Sequence, residues 1–579
     1  MTIDLKITGG HIVDGSGGAG FTGDIGVKDG RIVEVGKVAS PAKREIKADG
    51  ALVTPGFVDM HTHYDAQATW DPELVMSSRH GVTTAIMGNC GVGCAPRRPG
   101  GEALLLSHLS GVEDIPIPVL DEAMTWEWES FGDYLDVLAR TPRTIDVGAY
   151  LAHTPLRAYA LGPERGGNRE KATADELVTM RGIAREALRA GAIGITTGRI
   201  YNHRMEDGRL TPDFDAADEE ILTLAAAIGD VPGRVMQIAS DFHELKGIAG
   251  IDHDVSLIEQ VARQGNCPVS LLMLQWPLLG VDGWRTLMTR FEALNAQGLD
   301  LRFEVPAKAI GLLMGLSLSI HPFLLHPSYQ TLALLPLKER VARMRDPEVR
   351  ASILAETAQP LSPNSNTNEM VASFMDLAGN VFRSSLANPY EPGPSDSVAA
   401  IAAARGQSVP EAYYDLILEN EGTSFLYWPL RNYEQGSLDV TREMLMNPAA
   451  LMSFGDGGAH ATMICDSAYS TFAMRYWGKD RKEGIPMERI IRLMSGAQAD
   501  HFGFADRGLL RPGRRADINI VDPADLRLQP PTLASDLPAG GQRLLQFANG
   551  YIATFVNGTA IVEQDSLTGA RPGGLLRAA

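Results

Sequence analysis

The middle of the chain alternates short apolar segments with amphipathic ones, and this alternation limits the fold more than any other feature of the sequence. Apolar residues recur three and four positions apart in the amphipathic segments, which predicts helices at 175–190, 216–227, 255–264 and 284–296. Strands that are apolar along their whole length and separated by helices are typical of a parallel sheet. We predict eight such strands, at residues 51–59, 83–88, 145–153, 192–198, 235–240, 268–274, 299–305 and 451–456.

Eight strand–helix units predict a (β/α)₈ barrel, an α/β fold whose active site lies at the carboxyl ends of the strands. This catalytic barrel would span residues 51–505. Residues 306–450, between the seventh and eighth strands, are far longer than a usual connection, and we interpret them as an inserted, largely helical lid or substrate-binding segment. The two chain ends, 1–50 and 506–579, contain short candidate strands with tight turns such as Asn557-Gly558, which predicts antiparallel β-structure.

The charge balance excludes two classes of partner. With 71 acidic and 52 basic residues, the formal net charge is −19, so no basic stripe is available for nucleic-acid phosphates or for an anionic membrane surface. The most apolar stretch, 309–325, is interrupted by glycines and by His321-Pro322, and falls short of the roughly 20 apolar residues of a transmembrane helix. Four scattered cysteines do not form a disulfide framework, and residues 1–20 lack the apolar run of a signal peptide. We predict a cytoplasmic protein that acts on a small molecule, with a homo-oligomer left open.

Two histidines lie at the carboxyl end of the first predicted strand. Residues two apart in a strand share a face, so His61 and His63 should project the same way. Two imidazoles so placed can bind one divalent cation, for which Zn²⁺ is the commonest choice. The alternative is a chance pair beside a loop, and the position at a strand end favours the metal site.

A cysteine occupies the equivalent place after the second predicted strand. As a thiolate, Cys90 could complete a metal site with the two histidines. Three alternatives stay open: a buried structural cysteine, which is the usual fate of a free thiol, ligation by Cys94 instead, and a Cys90–Cys94 disulfide.

The eighth predicted strand ends in a glycine-rich turn that contains Asp456. A carboxylate here could act as general base on a metal-bound water and then return the proton to a leaving nitrogen. The alternative is an aspartate that serves only the turn, a common use of this residue.

Four motifs together resemble the amidohydrolase superfamily: TPGFVDMHTH at 54–63, GNCG at 88–91, GDGGAH at 455–460 and PGRRAD at 512–517. The Asn-Cys-Gly segment is similar to the N-acyl-D-amino-acid deacylases (D-aminoacylases). The resemblance implies a barrel beside a small β-sandwich made from both chain ends. It also implies one or two zinc ions, or another divalent metal, and hydrolysis of a carbon–nitrogen amide bond. His61, His63 and Cys90 match its metal-ligand positions and Asp456 its acid/base. Residues 194–201 resemble a segment whose tyrosine, here Tyr201, lies near the substrate.

The chain departs from this family at the fifth and sixth strands, where the family pattern has metal-ligating histidines and this sequence has none at the expected place. The nearest replacements are Asp241 and His243 after the fifth strand and His153 at the end of the third. Each has a structural alternative, with His153 as a hydrogen-bonded core residue and His243 as the start of a helix.

The leading functional hypothesis is hydrolysis of an N-acyl (D-)amino acid, in which metal-bound hydroxide attacks the carbonyl and Asp456 moves the proton. Candidates for contact with the substrate are Tyr201 and His460, and Arg199, Arg204 or Lys308 for its carboxylate, because cationic side chains pair with that group. Two alternatives are hydrolysis of a cyclic amide or lactam, and a metal-poor relative that binds a small molecule without turning it over.

Overall fold

The computed structural model describes residues 2–360, 366–384 and 390–578. Eight strands near the predicted positions each pair in parallel with the next strand along the chain. The prediction of eight parallel strands is therefore confirmed. They are β1 Phe57–Thr62, β2 Val82–Met87, β3 Asp146–Ala149 continued by Leu151–Ala152, β4 Gly194–Arg199, β5 Val235–Ser240, β6 Val269–Leu272, β7 Leu301–Pro306 and β8 Ala450–Ser453.

The first predicted strand, 51–59, is wrong as a single element. Leu52–Pro55 pairs with strands from the two chain ends, and β1 begins only at Phe57. Between them Gly56 approaches β2 so closely that a Cβ atom would lie 2.3 Å from the Thr83 side chain. Because the residues on both sides of this step are apolar, hydrophobicity alone does not reveal it.

Strands from both chain ends form one nine-stranded sheet. Most of its pairs are antiparallel, as predicted, but Ile3–Ile12 pairs in parallel with Ala42–Lys47 and with Leu52–Pro55. The register of Ile3–Ile12 shifts between Ile7 and Gly10. The Asn557-Gly558 turn is confirmed, with positive φ angles of 50° and 76°, as a two-residue hairpin requires. The sheet consists of Ile3–Ile12, Phe21–Lys28, Arg31–Gly36, Ala42–Lys47, Leu52–Pro55, Ile518–Val521, Tyr551–Val556, Thr559–Glu563 and Ser566–Leu567.

Helices connect the parallel strands, and their ends carry the expected signals. Ala174–Ala190 begins with a capping box between Thr173 and Glu176 and ends at Gly191, whose φ is 116°. The four predicted helices are confirmed to within a few residues, except that Ile248–Gly265 begins seven residues before the predicted 255–264. Helices before β7 are Val75–Ser78, Glu102–Glu113, Ile117–Ala123, Phe131–Arg140, His153–Leu161, Pro163–Gly167, Ala174–Ala190, Asp218–Gly229, Ile248–Gly265 and Gly283–Asn295.

Residues 306–450 have a hydrophobic core of their own. In the described part of this segment helices are the commonest regular elements, but they hold fewer than half of its residues, so the prediction of a largely helical segment is only partly confirmed. The segment also contains an antiparallel sheet of Ile310–Met314, Leu426–Arg431 and Phe382–Arg383. Helices in this segment are Pro327–Gln330, Leu337–Met344, Pro347–Ala355, Asn366–Ser373, Val398–Arg405, Val409–Ile417, Glu419–Gly422 and Asp439–Met446; helices after β8 are Tyr469–Phe472, Met487–Met494 and Gly496–Phe502, with a π-helix at Ala473–Asp480.

The C-terminal end of the chain returns to the parallel strands, where Leu575–Leu576 pairs with β3. Two-stranded sheets of Arg527–Leu528 with Ala548–Asn549 and of Thr532–Ala534 with Arg543–Leu545 precede it. None of the helices in the described ranges is both long and apolar enough to cross a bilayer. The domain boundaries at 50/51 and 505/506 stay predictions.

Candidate metal centre

Three potential metal ligands converge at the carboxyl ends of β1 and β2. His61 is the last residue but one of β1, and His63 directly follows that strand. Cys90 follows the end of β2. One ligand atom from each lies within 4.8 Å of the other two, and all three residues are buried. The predicted pairing of the two imidazoles on one face is therefore confirmed.

Cys90 is held in an unusual backbone conformation. It has a positive φ of 56°, two residues after Gly88, whose φ is 91°. Its N–H donates to Oε1 of Gln237 on β5 at 3.0 Å, and its Sγ lies 3.3 Å from Nε2 of His61. Cys94 is buried outside this group, and both thiols are free. A Cys90–Cys94 disulfide is therefore contradicted.

Asp456 reaches the same point from β8. Its backbone N–H donates to the His61 carbonyl at 3.0 Å. Its Oδ1 lies 3.6 Å from Nε2 of His61 and 3.8 Å from Nε2 of His63. The preceding Gly455 permits this approach, because a Cβ atom there would lie 1.9 Å from Oδ2 of Asp59. The glycine turn therefore allows the Asp456 carboxylate to lie close to the end of β1.

The centre has several buried carboxyl groups whose ionised forms are disfavoured by burial. Burial raises the pKa of Asp456 to about 7 and that of Asp59 to about 8. Burial and the neighbouring Asp456 raise the pKa of Glu113 well above its usual range. Within the described ranges, no Lys or Arg nitrogen comes within 4.0 Å of these three carboxylates or of Glu304. A bound cation is the group that would balance them.

The donor set fits zinc in both chemistry and spacing. Two imidazoles, a thiolate and a carboxylate are the ligand types that zinc takes. Donor atoms on a tetrahedral zinc with bonds of about 2.0 to 2.3 Å lie about 3.3 to 3.8 Å apart. Nε2 of His61 lies 3.3 Å from Sγ of Cys90 and 3.6 Å from Oδ1 of Asp456, and Nε2 of His63 lies 3.8 Å from Oδ1 of Asp456, so these three separations fall in that range. These residues are therefore able to hold one zinc ion.

A cavity of about 230 Å³ opens onto these four residues. Its walls are mainly apolar and come from the strand ends and from residues 306–450, which therefore help to enclose the site. Among its described lining residues, Arg431 is the only lysine or arginine. The apolar lining consists of Val112, Ile200, Leu272, Leu274, Trp276, Ile310, Leu312, Ile320, Met370, Leu430, Phe454, Met463 and Ile464.

The fifth and sixth strands supply other groups in place of the missing histidines. Gln237 on β5 holds the backbone of Cys90. At the end of β6, Leu272 and Leu274 face the cavity. These strands therefore support one proposed ligand and provide apolar surface.

The three tentative replacements lie elsewhere. His153 is fully buried, with Nδ1 2.9 Å from Thr197 Oγ1 and Nε2 2.8 Å from Glu220. Asp241 accepts the backbone N–H groups of Tyr201 and His243. Both side chains are therefore engaged in the structure of neighbouring loops and helices.

His243 belongs to a second group, in which one donor atom each from His243, His253 and Asp254 lie within 4.8 Å of one another. The Arg199 guanidinium lies 2.8 Å from Nε2 of His243 and 3.8 Å from Asp254. This fixed positive charge occupies the place of a cation, so we assign no ion there. Arg199, which we predicted to bind a substrate carboxylate, is instead engaged with His243 and Asp254, and it does not line the cavity.

Of the other predicted substrate contacts, only His460 lines the cavity. Burial lowers its pKa to about 4, which leaves a neutral imidazole. Lys308 is buried in an ion pair with Asp466, 2.5 Å away, and faces a separate cavity. Tyr201 and Arg204 stack on each other, with 4.3 Å between the guanidinium and the ring, outside the described lining.

Several residues of the site were not predicted, among them Glu113, Gln237, Glu304 and Arg431. A charged residue within the buried strand β7 is a signal for Glu304, which has no exposed surface. The other three have no local signal, because packing of distant segments brings them to the site.

The sequence matches the model of the amidohydrolase family over residues 44–562. It is 26% identical to a D-aminoacylase of Alcaligenes xylosoxydans xylosoxydans, over 99% of this chain and 97% of the relative. It is also 26% identical to an N-acyl-D-aspartate deacylase of that organism, over 99% and 95%. The fold resembles a zinc-containing, phosphonate-inhibited N-acyl-D-glutamate deacylase of Bordetella bronchiseptica, with a TM-score of 0.65, 22% identity and full coverage of both chains. A D-aminoacylase structure matches at 24% identity, covering 99% of this chain and 100% of the other, with a TM-score of 0.65. This chain belongs to the amidohydrolase family.

Proposed function

We propose that this protein is a zinc-dependent hydrolase of N-acyl amino acids, in which His61, His63 and Cys90 bind the ion and Asp456 transfers the proton. The observation that carries the proposal is the convergence of these four side chains on one cavity at the carboxyl ends of the parallel strands. Two relatives that match along nearly their whole length are a D-aminoacylase and an N-acyl-D-aspartate deacylase, which supports a substrate amino acid of D configuration.

In this proposal Asp456 acts in two steps of the reaction, first as a general base and then as a general acid. A zinc ion held in this site supplies Lewis acidity, which polarises an amide carbonyl and makes a water molecule more acidic. Asp456 accepts a proton as the water oxygen bonds to the carbonyl carbon. It then delivers that proton to the nitrogen as the carbon–nitrogen bond breaks, and the products are a carboxylic acid and an amine.

The lining of the cavity favours substrates with apolar side chains. Among the described lining residues, Arg431 is the one lysine or arginine that could bind a substrate carboxylate. Its guanidinium donates to the Leu430 carbonyl at 3.0 Å, lies 4.0 Å from the Glu244 carboxylate and lies 5.5 Å from the centre of the Trp276 ring. A second carboxylate, as in an N-acyl aspartate or glutamate, would meet an apolar wall without a second cation, which is costly for a buried charge.

Hydrolysis of a substrate panel tests this function. The zinc-loaded enzyme should cleave N-acetyl-D-leucine and N-acetyl-D-methionine faster than N-acetyl-D-aspartate, N-acetyl-L-leucine or a cyclic amide. An Arg431→Met variant should raise KM for N-acetyl-D-leucine by about tenfold, the value of one lost charge-assisted hydrogen bond. An N-acetyl alkylamine, which lacks the carboxylate, serves as the control and should react equally with both proteins. Faster hydrolysis of the cyclic amide than of the N-acetyl amino acids would contradict the proposed function and favour a cyclic-amide hydrolase. Binding of these compounds without turnover would contradict it and favour a non-catalytic binding protein.

We also infer that the parallel strands close into the predicted barrel. Two hydrogen bonds between the segment that follows β8 and the carboxyl end of β1 support closure: Asp456 N–H donates to the carbonyl of His61 in β1, and the N–H of His63, just after β1, donates to the Gly457 carbonyl at 2.9 Å. The nine-stranded sheet with its two small neighbours would form the sandwich beside it.

A further inference from the structure

Each of the two histidines in the metal centre has a buried glutamate against the same ring nitrogen. Oε2 of Glu304 lies 2.6 Å from Nδ1 of His61, and Oε1 of Glu113 lies 3.1 Å from Nδ1 of His63. In both rings the opposite nitrogen, Nε2, faces Asp456 at 3.6 and 3.8 Å. The two pairs share the ring nitrogen but not the alignment, because Nδ1 of His61 is hydrogen-bonded to Glu304, whereas Nδ1 of His63 is close to Glu113 without being aligned for a hydrogen bond.

Glu304 lies in the interior of β7 and has no exposed surface. Its other described contact is a long one, 3.5 Å from Oγ of Ser453, and its Oε1 has no hydrogen-bond partner in the described chain. A carboxylate in such a place costs several kcal/mol unless a cationic or donor group compensates it. Among the described residues, the His61 ring is the closest side-chain group that could do so, at 2.6 Å.

Glu113 is the last residue of the helix Glu102–Glu113 and is also fully buried. Neither of its oxygens has an aligned hydrogen-bond donor among the described residues. It lines the cavity, and among the described residues Nδ1 of His63 lies 3.1 Å from its Oε1 without hydrogen-bond alignment. Helix capping or an ion pair with lysine or arginine therefore does not account for this residue.

We propose that Glu304 and Glu113 are positioning residues that accept the Nδ1 protons of His61 and His63. An imidazole whose Nδ1–H is bound by a carboxylate presents its Nε2 lone pair in a fixed direction, and the carboxylate makes that nitrogen a stronger ligand. The inference rests on the proposed metal site. It extends that function by assigning the coordinating nitrogen of each ring and the group that orients it.

Zinc affinity of the metal-free protein, measured by competition with a chromophoric chelator, tests this inference. Glu113→Gln and Glu304→Gln keep the size of the side chain but remove its charge, and each should weaken zinc binding by about 10- to 100-fold. Glu113→Asp and Glu304→Asp keep the charge at a greater distance and should give intermediate affinities, which a loss of packing alone would not produce.

Glu220→Gln is the matched control. Glu220 is equally buried and lies 2.8 Å from Nε2 of His153, but outside the metal centre, so its variant should bind zinc as the wild type does. Circular dichroism of each metal-free variant establishes whether it is folded. Where a glutamine variant is not folded, the aspartate variant at the same position is used instead. The inference is wrong if Glu113→Gln and Glu304→Gln bind zinc with wild-type affinity, or if Glu220→Gln weakens zinc binding equally. Either result leaves the proposed function standing. Failure of the wild-type protein to bind zinc overturns the proposed function as well.

Discussion

Two buried clusters of charged and titratable side chains lie around the parallel strands, and they differ in charge balance. Around β3 and β4, Glu220 contacts both Arg157 and His153. Around β1, β2 and β8, the carboxylates of Asp456, Glu304 and Glu113 face imidazoles and a thiol, without a lysine or arginine within 4.0 Å in the described chain.

This difference separates a structural cluster from a ligand site more clearly than residue type does, since both clusters contain histidines and carboxylates. The first is neutralised by its own side chains and needs no ion. The second is stable with its carboxylates ionised only if something positive joins it. A zinc ion in the second cluster and none in the first is what this comparison predicts.

The largest expected effect is on catalysis. Asp456→Asn should lower kcat/KM for N-acetyl-D-leucine by about 10²- to 10⁴-fold, the usual contribution of a general acid–base group, because the amide cannot accept the proton. Steady-state kinetics with zinc-loaded protein measures this. The matched control is Asp146→Asn, which alters a buried aspartate at the start of β3 that pairs with Arg507 and Arg515. Per folded molecule this control should keep wild-type activity, and equal losses in both variants would refute the role of Asp456.

A smaller effect is expected on the stability of the balanced cluster. Glu220→Gln should lower the free energy of unfolding by about 3 kcal/mol, because it leaves the buried Arg157 without its carboxylate. Asp456→Asn in metal-free protein should cost less, since it removes a carboxylate that no side-chain cation compensates. Urea denaturation of the metal-free variants compares the two losses. A greater loss for Asp456→Asn would contradict the assignment of the two clusters.

Local sequence patterns were sufficient for the strands and for part of the site. The apolar runs predicted the parallel strands, and a strand end fixes where its next few residues point. His61, His63, Cys90 and Asp456 were expected to act together only when their motifs were taken jointly as a resemblance to the amidohydrolase superfamily, because each alone had a structural alternative. The same resemblance favoured Cys90 over Cys94, and in the structure Cys94 lies outside the group.

Residues whose partners come from distant segments could not be predicted in the same way. Arg199 and Lys308 have the right charge for a substrate carboxylate, but Asp254 and Asp466 neutralise them. Arg431 reaches the cavity because residues 306–450 pack over it. The sequence also does not reveal that a glutamate at the end of a helix lies beside His63. Such contacts depend on the packing of whole elements.

Zinc content after equilibration with excess zinc and gel filtration tests the central claim most directly. We predict about one zinc per chain for the wild type, since a well-formed site should fill. Cys90→Ser and His61→Asn should lose most of it, whereas Cys94→Ser and His153→Asn should keep the wild-type value. Zinc retained in Cys90→Ser and His61→Asn, or lost in His153→Asn, would contradict the claim that the unbalanced cluster is the metal site.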